Sequence, residues 1–143
     1  MASYSKIQDF VEQLGLAKHQ LNTDTLKCVL TLAAPVATNT ILSDLTQIAN
    51  GNGYTTGGED SQNTLAEATG TATLTGTKIV WTSSGAGMAS FRYVTLYNDT
   101  QTSPVDPLIA WWDYGSSLTL LVGETFSVKF NGSDTTGTIF TLA

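Results

Sequence analysis

The sequence predicts an all-β fold: an antiparallel, jelly-roll-like β-sandwich with an N-terminal arm or short helix. Three observations point there. Short runs of alternating apolar and polar residues recur along most of the chain, the period of a strand with one face buried. Turn-forming residues interrupt those runs at spacings of roughly 8–12 residues, as in sandwiches and barrels. Threonine is the commonest residue and only 13% of the 143 residues are charged, about half the usual share, and Thr suits the pleated, half-buried surface of a sheet. The length fits one domain able to bury its own core. Residues 1–143 therefore read as a single β domain, with 1–20 the arm or helix and 21–143 the sandwich.

Residues 3–20 admit two readings. Ile7, Phe10, Val11 and Leu14 recur at helical spacing, Ser5 could cap such a helix with Gln8 three residues on, and Gly15 would end it. An extended arm would instead place Phe10, Glu12, Leu14, Leu16 and Lys18 on one side. The strongest strand signal follows. Leu26, Cys28, Leu30 and Leu32 alternate as one face, and Pro35 ends the run. A long, nearly uncharged excursion then closes on GNGYTTGG at 51–58. Uncharged residues spent in this way suit a contact surface better than a catalytic pocket.

From Leu65 onward the pattern is β. Strands are expected at 71–74 and 77–82, parted by a tight turn at Gly76, with a loop over 83–87. In the next strand Phe91, Tyr93, Thr95 and Tyr97 share one face and Arg92, Val94 and Leu96 the other, as in a central strand covered on both sides. After a polar loop over 98–106, a strand over 108–114 points Trp111 and Trp112 to opposite faces. One of those faces is core. The other is a subunit contact, further core or a sugar-stacking platform. Val122-Gly123 separates 118–121 from a strand over 125–130, in which Phe126, Val128 and Phe130 face in and Thr125, Ser127 and Lys129 face out. Asn131-Gly132 turns the chain into a last strand at 138–142.

The charge balance argues against nucleic acid: six Lys and Arg are scattered among twelve Asp and Glu, for a net charge of −6. No apolar stretch approaches the roughly 20 residues of a membrane helix. The polar start MASYSKIQDF lacks the apolar run of a signal peptide, so a soluble protein made in a reducing cytoplasm is expected. Cys28 is the lone cysteine and alternates with leucines, the pattern of a small buried hydrophobe. His19 is the single histidine and has no motif around it, which suits a surface or packing role. Glu59 with Asp60, or Asp106 with Asp113, carry no glycosidase-specific spacing. GNGYTTGG lacks the Lys-Ser/Thr ending of a phosphate loop, and NGSDTTG at 131–137 lacks the spacing of a calcium loop. The expectation is no catalytic residue, no metal and no cofactor.

Several motifs stand in a shared order: TILSDLTQI at 40–48, GNGYTTGG at 51–58, YNDT at 97–100, PLIAWWDYG at 107–115 and GETFSVKF at 123–130, before an apolar C-terminal strand. Taken together, the chain resembles the head decoration, or capsid cement, proteins of tailed bacteriophages, across nearly its whole length. The resemblance implies a virion structural protein without enzymatic activity. It would bind the major capsid protein at the outer capsid surface after synthesis in the bacterial host cytoplasm. A tail-associated or host-glycan-binding adhesion module is the alternative. Repeated attachment to a symmetric lattice lets weak contacts suffice, and three-fold lattice sites favour a homotrimer, with a dimer as the rival. Tyr4, Ile7, Phe10 and Val11 are the candidate capsid-binding residues, as apolar positions of an arm. Trp111, Trp112 and Tyr114 are the candidate oligomer interface.

Overall fold

A computed structural model describes residues 2–143. The chain runs through β1 (Tyr4–Lys6), α1 (Asp9–Gly15), β2 (Leu26–Thr31) and β3 (Glu59–Asp60). The hairpin of β4 (Thr64–Ala68) and β5 (Thr71–Thr77) comes next, then β6 (Ile79–Thr82), β7 (Phe91–Asn98) and β8 (Leu108–Leu118). Last are β9 (Thr125–Val128) and β10 (Thr136–Leu142). A five-stranded sheet has the order β1-β8-β7-β2-β3, a three-stranded sheet β10-β5-β4, and β6 pairs with β9. All pairings are antiparallel. The chain is an antiparallel all-β protein with one short helix; these strand orders do not by themselves make the connections of a jelly-roll.

β2 shows why the large sheet forms. Leu26, Cys28 and Leu30 point to one face and stand opposite Asn98, Leu96 and Val94 of β7. Val29 and Thr31 stand on the other face opposite Thr95 and Tyr93, and they too are fully buried. Both faces are covered, so β2 and β7 are the centre of the molecule. One core runs from Ile7 and Phe10 through Leu74 and Trp81 to Phe130 and Ile139, taking side chains from all three sheets.

The excursion after β2 is folded back onto the sheet edge. Thr31 bridges to Gln47, and the Ile48 N–H donates to the Leu30 carbonyl at 3.0 Å. Tyr54 is buried; its hydroxyl donates to Gln47 Oε1 at 2.6 Å and accepts the Leu30 N–H at 3.3 Å. Gly58 has φ +71, and a Cβ there would stand 1.9 Å from the Cys28 carbonyl oxygen. GNGYTTGG is therefore a packed closing turn, and its last glycine is required by backbone against backbone.

Four expectations need correction. Gly76 is no turn: it lies inside β5 opposite Gly137, where a Cβ would come within 2.7 Å of the Phe130 ring. The chain leaves that sheet at Lys78 instead, whose N–H donates to the Thr135 carbonyl. Phe91 does not share a face with Tyr93, because the register shifts between them: Phe91 meets Phe126 at 4.8 Å, whereas Tyr93 meets Trp111 on the opposite side. A bulge changes which way every preceding side chain points. β8 continues past Tyr114 to Leu118, so no separate strand begins there, and Thr119–Leu121 belong to the following turn. The N-terminal segment is both strand and helix. Ser5 lies in β1 and does not cap the helix; Gln8 occupies the N-cap position without a side-chain cap bond, and Asp9 and Glu12 lie in the first turn, where acidic side chains favour the helix dipole.

Candidate binding cleft

β1 lies antiparallel on β8 with Tyr4 opposite Trp112, Ser5 opposite Trp111 and Lys6 opposite Ala110. Because directly opposed residues share a face, Tyr4 meets Trp112 edge-on at 5.8 Å between ring centroids. One candidate from the arm and one from the aromatic strand thus form a single surface. Sequence reasoning assigned them to separate contacts, since nothing local reveals that two segments a hundred residues apart are paired.

Of the four arm residues, Ile7 and Phe10 belong to the chain's own core, at 0% and 3% exposure. This corrects their place in a capsid-binding arm: the Ile7 N–H donates to Ile109 and the Gln8 N–H to Ala37, docking the segment, and Phe10 packs on Phe140 at 5.5 Å. Tyr4 and Val11 remain partly open to solvent. Of the three interface candidates, Trp111 and Trp112 point to opposite faces and each is half-buried, against Tyr93 and Phe130 respectively. Tyr114 is exposed, and its ring meets Phe126 edge-on at 6.0 Å.

Between β8 and the segment running from β9 into β10 lies a cleft of about 530 Å³. Tyr4, Trp112, Tyr114 and Phe126 wall it, and Val94, Phe130 and Ile139 close its inner end. Ser127, Lys129 and Asn131 supply its polar groups. Phe126 and Val128 are half-buried, not wholly inward as their alternation implied, because one side of each faces this opening.

A charged group adjoins the cleft through Lys129, which lines it. Lys129 and Lys78 both reach Asp134 Oδ1, at 2.7 and 3.7 Å, so two ammonium groups share one carboxylate. The hydrogen bond from Lys129, helped by both positive charges, holds Asp134 below the usual carboxylate range. Burial pushes the Tyr4 phenol up to about 12, leaving a neutral hydroxyl. Aromatic edges and faces, a hydroxyl and an ammonium group are equipment for holding a ligand or partner.

The remaining titratable candidates lie elsewhere. His19 is buried, its Nδ1 accepting from Asn98 Nδ2 at 3.2 Å, and that amide also donates to Asp24 at 2.6 Å. Burial lowers the His19 pKa to about 4 against the opposing pull of Asp24 and Asp9. Cys28 is fully buried, which pushes its thiol up. Asp113 is held by Arg92 through two contacts of 2.8 Å, and those hydrogen bonds keep its carboxyl below the usual range. Glu59 and Asp60 form the exposed edge strand β3. Among the described residues no three His, Cys, Asp or Glu side chains gather as metal ligands.

No protein-family model, no curated protein and no solved structure matches this chain.

Proposed function

We propose that this chain is a bacteriophage virion structural protein that binds the major capsid protein and stabilises the outer capsid surface, acting as a homotrimer and without catalysis. The observation that carries the reading is the excursion over 32–58, which holds a single charged residue, Asp44, yet is firmly built. Asp44 Oδ2 accepts from the Thr40 and Ile41 N–H groups at 2.7 and 3.2 Å. The Leu42 N–H donates to Asp106, and the Leu108 N–H donates to Thr40. Leu32 and Val36 stand more than half exposed on this scaffold. A preformed, nearly uncharged surface costs little ordering entropy when a partner covers it, and lattice multivalency makes modest single contacts sufficient. With Ile7 and Phe10 in the core, this excursion is the surface best suited to the shell. The motif resemblance supports the same role, since its Asp44, Ile48, Tyr54 and Gly58 positions are the ones that hold the excursion in place.

Co-sedimentation with undecorated capsids tests it. Val36→Asp and Leu32→Asp, both at exposed positions, should reduce occupancy while leaving the thermal melt unchanged. Full occupancy by both variants would remove the excursion from the contact, and failure of the unaltered chain to bind any shell would remove the role. A host-glycan adhesion module is the second reading, drawn from the aromatic walls of the cleft, and glycan binding by the isolated chain would be its mark.

A further inference from the structure

The turn between β8 and β9 carries the two most exposed large apolar side chains of the described residues, Leu121 at 71% and Val122 at 62%. They are held there. The Leu121 N–H donates to Glu124 Oε2 at 2.8 Å and the Glu124 N–H to the Leu121 carbonyl at 3.0 Å. The Gly123 N–H donates to the Ser83 carbonyl at 2.8 Å, and the Ser83 N–H returns to the Glu124 carbonyl at 2.9 Å. The result is a rigid apolar knob with an exposed carboxylate at its base, preorganised for insertion.

The cleft is a matching receptor on the same chain. Its Trp112, Tyr114 and Tyr4 walls are of the residue types that anchor interfaces, and its volume accommodates two aliphatic side chains. The charges complement too. Lys27 and Arg92 each have a carboxylate of their own, in Asp99 and Asp113, whereas Lys78 and Lys129 divide Asp134 between them. Lys129, which lines the cleft, therefore belongs to a group of two ammonium ions and one carboxylate with one positive charge in excess, on a chain of net charge −6. An acidic partner is favoured there, and a second copy of this chain is one.

We propose that the chain self-associates head to tail: the Leu121–Val122 knob of one copy enters the Tyr4–Trp112–Tyr114 cleft of the next, with Glu124 set toward Lys129 and Lys78. Knob and cleft are different surfaces, so the contact is heterologous and closes into a ring when the rotation permits. The inference deepens the oligomer of the proposed function by naming its contact, and its test needs no capsid, so the two fail separately.

Sedimentation equilibrium of the full-length chain over a wide concentration range is the experiment. The unaltered protein should form a closed oligomer. The knob variant Leu121→Ser/Val122→Ser, altered only at exposed positions, should sediment as a monomer with an unchanged circular dichroism melt. Lys129→Glu should weaken association by about tenfold, as expected for loss of a complementary charge. Mixing the two variants should yield a one-to-one heterodimer, because one intact knob then meets one intact cleft. An oligomeric knob variant, or a mixture that stays monomeric, would overturn the proposal. So would a monomeric unaltered protein whose tryptophan fluorescence responds to added oligosaccharide, which would give the cleft to a glycan.

Discussion

His19 stands between Phe10, whose ring lies 5.1 Å away, and Asn98, whose amide donates to its Nδ1. Asn98 Oδ1 accepts the Thr100 N–H, which fixes the direction of that side-chain amide. The imidazole is therefore held neutral, with its Nε2 buried and without a partner among the described residues. Its pKa falls from 6.5 unfolded to about 4 folded, so the unfolded state binds the proton first as pH drops. Stability from this group is complete above pH 6.5 and is lost as pH falls toward 4, a loss of about 3 kcal/mol at most. Chemical denaturation between pH 7 and 4 should show that slope, and His19→Gln should flatten it. Asp113 and Asp134, both held low, lose their contributions only in more acid solution, as pH falls below the ordinary carboxylate range. Two glycines give a paired test. Gly58→Ala meets the Cys28 carbonyl at 1.9 Å and should cost upwards of about 3 kcal/mol, since strain and backbone collision add. Gly70→Ala, at φ +84 with open space around it, should cost only about 1–2 kcal/mol. Similar melts for both would mean that the excursion does not lie against β2.

At the scale of elements, β1 and α1 decide the fate of the N-terminus. Truncation up to Phe10 removes an edge strand together with the fully buried Ile7 and Phe10. Each large buried side chain contributes roughly 2–5 kcal/mol, so the truncated chain should melt far lower or fail to fold, as circular dichroism would record. A truncated chain with an unchanged melt would return the segment to the status of a free arm. β9 gives the complementary case. Phe126 touches Phe91, Trp81 and Tyr114 while one side faces the cleft. Phe126→Ala should therefore cost about 2–3 kcal/mol, below the full burial value. The exposed Thr125→Ala should cost less than about 1 kcal/mol. Equal losses would place β9 one residue out of register.

For the whole molecule, the shared core predicts how it comes apart. Trp81 is buried in β6, while Trp111 and Trp112 sit in β8 of the large sheet, and all three belong to or pack on one cluster. Chains of this length with one core usually unfold in a single step. Thermal melts followed by tryptophan fluorescence and by far-ultraviolet circular dichroism should therefore coincide. A separate earlier fluorescence transition would show that β6 and β9 come away from the large sheet before it melts. The five-stranded sheet ends in the short strands β1 and β3, which limit edge-to-edge pairing at its two edges.

The β class, the strand positions of β2, β7 and β10, and the burial of Cys28 were legible in the sequence because alternation and turn chemistry are local properties. The helix over Asp9–Gly15 was legible as one of two readings, since its apolar spacing is helical while its length is too short to form alone. Phe91 was misplaced because a bulge leaves no mark on an alternating pattern, and Gly76 because a glycine needed for close approach looks in sequence like a glycine needed for a turn. The candidate cleft was half legible. Trp112 and Tyr114 stood out as aromatics, but their meeting with Tyr4, Phe126 and the Lys78–Asp134–Lys129 group depends on pairings between distant segments. Local periodicity determined that this chain makes sheets and roughly where their strands lie. Only the tertiary structure decided that the supposed arm is core, that the Gly-rich motif is a backbone clasp, and which aromatics share a cleft, because those outcomes depend on contacts made across the chain.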